Sequence, residues 1–154
     1  MMKTNLLLQF LFILCMLAAC QTSTPSPSIS ATVGTEFTLA PDQSAAITET
    51  DLTVTFDSVL SDDRCPSDIE CATSGPVSVS LSVRQGNGNT TNLTLQTFTD
   101  NNGRTPRVQF EGIQDRAEVG DYLIQIVGVT PYPKDLSTQI KSSEYRVVLI
   151  ISPR

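Results

Sequence analysis

Histidine and tryptophan are absent from all 154 residues. Without imidazole there is no Ser-His or Cys-His nucleophile pair, no histidine general base and no His-ligated metal. With no indole, three Tyr and six Phe, two of the latter (Phe10 and Phe12) in an N-terminal apolar run, the chain is poorly equipped to stack on sugars. Basic residues are scarce too: 10 Lys and Arg stand against 16 Asp and Glu, for a net charge of −6. An acidic chain with no basic patch argues against nucleic acid as a partner, and against contact with an anionic membrane through the protein surface. Sustained apolar spacing of 3.6 residues is also missing, so long amphipathic helices are not expected.

What is present begins with an address. Lys3 supplies a short positive start, and Leu6–Leu17 (LLLQFLFILCML) is an apolar run. Such a run fits a signal-peptide core and is short of the roughly 20 apolar residues a spanning helix needs. Leu17-Ala18-Ala19-Cys20 then resembles the lipobox of bacterial lipoproteins. Small residues suit a peptidase that grips extended backbone beside the cleaved bond. An ordinary secretory signal would instead leave an odd cysteine in the mature chain. The expectation is a signal peptide over 1–19 and a diacylglycerol on Cys20, the residue that becomes the new N-terminus. Two or more acyl chains make a firm anchor where one does not. Partner and location follow: attachment to a membrane through lipid, in the cell envelope, outside the cytoplasm. Gln21 after the cysteine, rather than Asp, favours an outer membrane if the cell has one; otherwise the outer face of the cell membrane is expected. Cys15 lies in the discarded segment, and losing Lys3 takes the net charge from −6 to −7.

Residues 21–35 (QTSTPSPSISATVGT) carry no charge and are rich in Ser, Thr and Pro, so 20–35 reads as lipidated cysteine and flexible tether. Residues 36–154 then form one domain of ordinary size with a real core. Period-2 alternation marks strands at Leu52/Val54/Phe56, Val77/Val79/Leu81/Val83, Leu93/Leu95 and Val108/Phe110, each with one wet face, as in antiparallel sheets. Tyr122–Val129 and Tyr145–Ile151 are apolar on both faces and read as central strands, paired with each other or covered. Glu36–Leu39 and Ser44–Ile47 are weaker candidates; short turns fit 114–119 and 134–139. Gly86-Asn87-Gly88-Asn89 is hairpin chemistry. The expected fold is all-β: an antiparallel β-sandwich of about seven to nine strands, immunoglobulin-like in the loose sense, with a small barrel as the alternative.

One segment stands apart. Ser61–Gly75 (SDDRCPSDIECATSG) is long for a hairpin connection and holds Cys65 and Cys71. Outside the cytoplasm such a pair oxidises to a disulfide. The spacing is not Cys-x-x-Cys, and no helix N-terminus is evident to lower a thiol pKa, so redox chemistry is not expected. Asp57, Asp62, Asp63, Asp68 and Glu70 cluster around this loop. Carboxylates can bind calcium, but Arg64 in their midst pairs with Asp62 or Asp63 equally well, or stands exposed for recognition. No carboxylate pair can be nominated for hydrolysis from spacing alone.

Asp63-Arg64-Cys65-Pro66, then Cys71, then Gly75 before a Val-rich strand, resembles a family of small bacterial lipoproteins of unassigned function. The likeness runs more weakly through Gly120-Asp121-Tyr122, Val129-Thr130-Pro131-Tyr132-Pro133 and the Tyr145 strand. Family members often carry an aromatic residue shortly before the glycine, where this chain has Ala72-Thr73-Ser74. The resemblance implies a fold and a location and brings no activity. The leading expectation is a non-enzymatic, lipid-anchored module presenting the 61–75 loop, with Asp62, Asp63, Arg64, Asp68 and Glu70 as candidate recognition residues, to a protein or extracellular ligand. A purely structural or accessory envelope lipoprotein is the alternative; a calcium-binding module or an enzyme comes after it.

Overall fold

The computed structural model describes residues 27–154, so Cys20 and the 1–19 segment lie outside the described residues. Among the described residues nine strands appear: β1 (Ile29–Ala31), β2 (Phe37–Leu39), β3 (Gln43–Ile47), β4 (Leu52–Asp62), β5 (Val77–Gln85), β6 (Thr90–Thr97), β7 (Arg116–Val119), β8 (Tyr122–Thr130) and β9 (Arg146–Pro153), with one 3-10 turn at Ser142–Glu144. They form two sheets, ordered β1-β3-β4-β5-β6 and β2-β9-β8-β7. All pairings are antiparallel except β1 with β3. This is the expected sandwich, and neither sheet closes into a barrel.

Alternation builds the core. In β4, Leu52, Val54 and Phe56 point inward; in β5, Val77, Val79, Leu81 and Val83 do so; all are at most 1% exposed. They meet Leu39, Ile124, Ile126, Val147, Leu149 and Ile151 from the second sheet. A period of two leaves every second side chain on the outer face, where Ser80 and Ser82 donate to the Asp57 carboxylate at 3.0 and 2.9 Å. β8 and β9 pair with each other at the centre of their sheet, as their two-faced apolar runs require.

Three expectations are corrected. Residues 29–31, read as tether, are strand β1, paired with β3 from Ile29↔Ala45 to Ala31↔Ile47. The sandwich therefore begins well before residue 36. Val108 and Phe110 are in no strand; they stand 69% and 43% exposed on the long 98–115 connection, with Phe110 packed edge-on against Phe98 at 5.0 Å between centroids. Residues 116–119, within a stretch expected to turn, pair with β8 as an edge strand.

Following the strands sorts the connections. Pro27, level with the start of β3, lies at the same end as the 40–42 turn and the 63–76 and 131–141 segments. This is the proximal end. The 32–36, 48–51, 86–89 and 120–121 connections occupy the opposite, distal end.

Candidate functional site

The 61–75 segment is a built structure. β4 carries two bulges, one between Phe56 and Ser58 and one between Val59 and Ser61, which add twist where the strand leaves the sheet. Beyond Asp62 the two sides stay joined: Asp63 N–H donates to Pro76 O at 3.1 Å and Gly75 N–H to Asp63 O at 2.8 Å. Gly75 is demanded by this approach, since a Cβ there would lie 2.6 Å from the Asp63 Cβ and 2.9 Å from its carbonyl oxygen. The Cys65 and Cys71 sulfurs are bonded, with Cα atoms 5.9 Å apart, a normal disulfide span. The loop is then fastened sideways: Ser67 N–H donates to Pro133 O at 3.0 Å and Asp68 N–H to Lys134 O at 2.9 Å.

Beneath the loop lies Arg64, 3% exposed. A guanidinium has five N–H donors, and all five are used. Nε donates to Asp62 Oδ1 at 2.7 Å and Nη2 to Asp62 Oδ2 at 2.5 Å. Nη1 donates to Val129 O at 2.9 Å and Thr99 Oγ1 at 3.2 Å, and Nη2 also to Pro131 O at 2.9 Å. The Tyr132 ring stacks 5.0 Å from the guanidinium carbon, within cation–π range. Tyr145 O–H completes the set by donating to Asp62 Oδ2 at 3.0 Å. Burial first, then the Asp62 charge and this hydrogen bond, push the Tyr145 phenol up to about 12. Asp62 ends the first sheet's β4 and Arg64 follows two positions on, whereas Val129 is in β8, Pro131 at its exit and Tyr145 just ahead of β9. The network therefore latches the two sheets together at the proximal end.

These facts redistribute the candidate residues. Arg64 is withdrawn from recognition: it is buried and has no free donor. Asp62, with a side chain 10% exposed, serves Arg64 and Tyr145. Asp57 belongs to the outer face of the first sheet. Asp63, Asp68 and Glu70 remain exposed on the loop, and Asp68 accepts only from Ser67 Oγ, at 3.1 Å. Among the described residues no group of three or more Asp, Glu, Cys or His converges in a way that holds a metal, so the calcium expectation finds no ligand set there. Beside the loop runs a groove of about 330 Å³ between β4 and the 133–145 segment, lined in part by Leu60, Asp62, Pro133, Thr138, Ile140 and Tyr145.

The sequence reading missed the latch as a unit. Arg64 and Asp62 were both singled out, but Thr99, Val129, Pro131 and Tyr145 lie 35 to 83 positions from their partners, beyond any local pattern. Comparison with models of protein families, with curated proteins and with solved structures found no match.

Proposed function

We propose that the chain is a lipid-anchored, extracytoplasmic lipoprotein of the cell envelope that works without catalysis, as an interaction module whose contact surface is the disulfide loop at 61–75. The carrying observation is the mounting of that loop. A disulfide, two backbone hydrogen bonds to 133–134 and the saturated Arg64 latch below hold it rigid, while Asp63, Ser67, Asp68 and Glu70 face solvent. A contact surface held in one conformation loses little entropy on binding. The N-terminal features support the anchored half of the reading: Lys3, the apolar run to Leu17, the small residues and Cys20.

The test is crosslinking in intact cells from an unnatural residue at Asp68, with and without Cys65→Ser/Cys71→Ser. One dominant envelope component should be captured, and capture should fall sharply when the disulfide is removed from a protein that still folds. Equal capture without the disulfide would sink the reading.

A second reading is favoured by the same latch: the loop only caps the sandwich, and the protein is structural or accessory. Removing the disulfide would then cost stability and leave cellular contacts and phenotype unchanged.

A further inference from the structure

The tether is shorter than the sequence alone suggests, and this decides what the loop faces. Strand β1 begins at Ile29, and Gln43 Nε2 donates to Pro27 O at 3.2 Å, so the fold is already gripping the chain at Pro27. Only seven residues, Cys20–Ser26, precede it after the expected cleavage. Fully extended they reach about 25 Å at most. Pro27 is level with Gln43, and Gln43 pairs with Phe56. From Phe56, β4 runs on to Asp62 in the direction from which the chain arrives; with its two bulges these six positions match only four on β5, from Leu81 to Val77, roughly 13 Å at strand rise. A lipid on Cys20 therefore brings the proximal end, with its disulfide loop, to the membrane.

The surface chemistry is polarised along the same axis. Leu60 (57% exposed), Ile69 (37%) and Leu136 (82%) all lie at the proximal end. The bonds from Ser67 and Asp68 to Pro133 and Lys134 tie their segments together, and Leu60 and Pro133 line one groove. Among the described residues the other two exposed large hydrophobics, Val108 and Phe110, lie on the 98–115 connection, and none lies on the distal connections. Wet aliphatic side chains gathered at one end mark a contact surface.

We infer that this contact is with lipid: Leu60, Ile69 and Leu136 at the proximal end rest on the surface of the membrane that carries the anchor. The inference rests on the lipoprotein reading above and names the partner of its loop. A protein-binding centre is built from Trp, Tyr and Arg anchors in desolvated pockets. Here the protruding residues are aliphatic, and Arg64 is buried with every donor used. Lys134 and Lys141 stand exposed beside them, and so do the carboxylates of Asp63, Asp68 and Glu70, so the fit is to zwitterionic rather than strongly anionic headgroups. Because the anchor makes the contact intramolecular, a weak surface suffices.

The experiment uses the mature lipidated protein in phosphatidylcholine vesicles. An environment-sensitive fluorophore is placed at Leu136→Cys, or at Asn87→Cys on the distal hairpin as reference, and is quenched by shallow nitroxide lipids. Expected is several-fold stronger quenching at position 136 than at position 87. The mass of the purified protein separates the two claims. No diacylglycerol on Cys20 defeats the anchored reading and this inference together. Lipid present with equal quenching at both positions overturns this inference alone. Shielding of position 136 in whole cells but not in vesicles also overturns it, by assigning the surface to a protein.

Discussion

Arg64 and Asp62 stand two positions apart and close a two-point ion pair, Nε to Oδ1 and Nη2 to Oδ2, with side chains 1% and 10% exposed. Neighbours in sequence rarely need an ion pair to stay close. Its work is done elsewhere: Asp62 orients the guanidinium so that its remaining donors reach Val129 and Pro131 across the sandwich and Thr99 just past β6. The carboxylate also keeps the buried charge neutralised, which a lone arginine at that depth would require.

Arg64→Ala should therefore be far costlier than an ordinary surface truncation. It strands the Asp62 carboxylate and two carbonyls, and breaking a buried pair from one side costs about 3–5 kcal/mol. Arg64→Lys should also destabilise, by about 1–3 kcal/mol, because one ammonium cannot satisfy a bidentate carboxylate and three further acceptors. Urea midpoints of the three proteins check this. An Arg64→Ala midpoint within error of the parent would refute the latch.

Tyr145 makes the latch sensitive to alkali. Its phenol titrates near 10 when unfolded and is held at about 12 in the fold, chiefly by burial. The fold thus favours the neutral phenol. Its contribution is complete below pH 10 and is lost as pH rises through 10 toward 12, since the unfolded chain ionises first. Tyr145→Phe should be less stable at pH 8, by about 1–2 kcal/mol for the lost bond to a carboxylate. It should also show a shallower decline between about pH 9 and 11. Parallel declines would assign the alkaline loss to other groups.

Most of the sandwich was legible because its strands obey one rule each. β5 alternates Val and Leu with Ser without interruption, and β8 and β9 are long apolar runs that only a central position can bury. Where reading failed, a second signal overrode the first. Ile29, Ala31 and Val33 do alternate with Ser and Thr, but the prolines just before them pointed to a tether. Val108 and Phe110 alternate over too few residues to be told from a loop, and the bulky ring found its partner in Phe98 instead. In the 61–75 loop, residue types were readable and roles were not. Whether Arg64 faced solvent or core depended on acceptors from β8 and its exit, and a single sequence carries no mark of them.

The disulfide should contribute modestly and locally. Cys65 and Cys71 are separated by six positions, and closing so small a loop is worth about 2–2.5 kcal/mol in the chain-entropy picture. Cys65→Ser/Cys71→Ser should lower the unfolding free energy by about that much or less. It should leave the slope with denaturant unchanged, because the core strands are untouched. Amide exchange should accelerate at Ser67 and Asp68, whose bonds to 133–134 depend on loop shape, and stay slow in β5 and β8. Global acceleration would mean the bridge is a framework for the fold.

Arg104 and Glu36 provide the contrast that isolates burial as the cause. Their geometry is as good as that of the latch: both guanidinium nitrogens of Arg104 donate to the two Glu36 oxygens at 2.8 Å. The hydrogen bonds from Arg104 hold the Glu36 carboxyl below its ordinary value, so the pair contributes above that value and fades as pH falls through the depressed one. Yet the side chains are 50% and 44% exposed, and solvent screens such a pair to about 0–1 kcal/mol. Arg104→Ala should therefore change stability by less than about 1 kcal/mol, and the effect should vanish near 1 M salt, where the screening length is about 3 Å. Arg64→Ala should keep most of its cost in the same salt, since its ion pair is shielded from solvent ions. A salt-sensitive loss at Arg64, or a large salt-resistant loss at Arg104, would mean that bidentate geometry rather than burial sets the strength of these pairs.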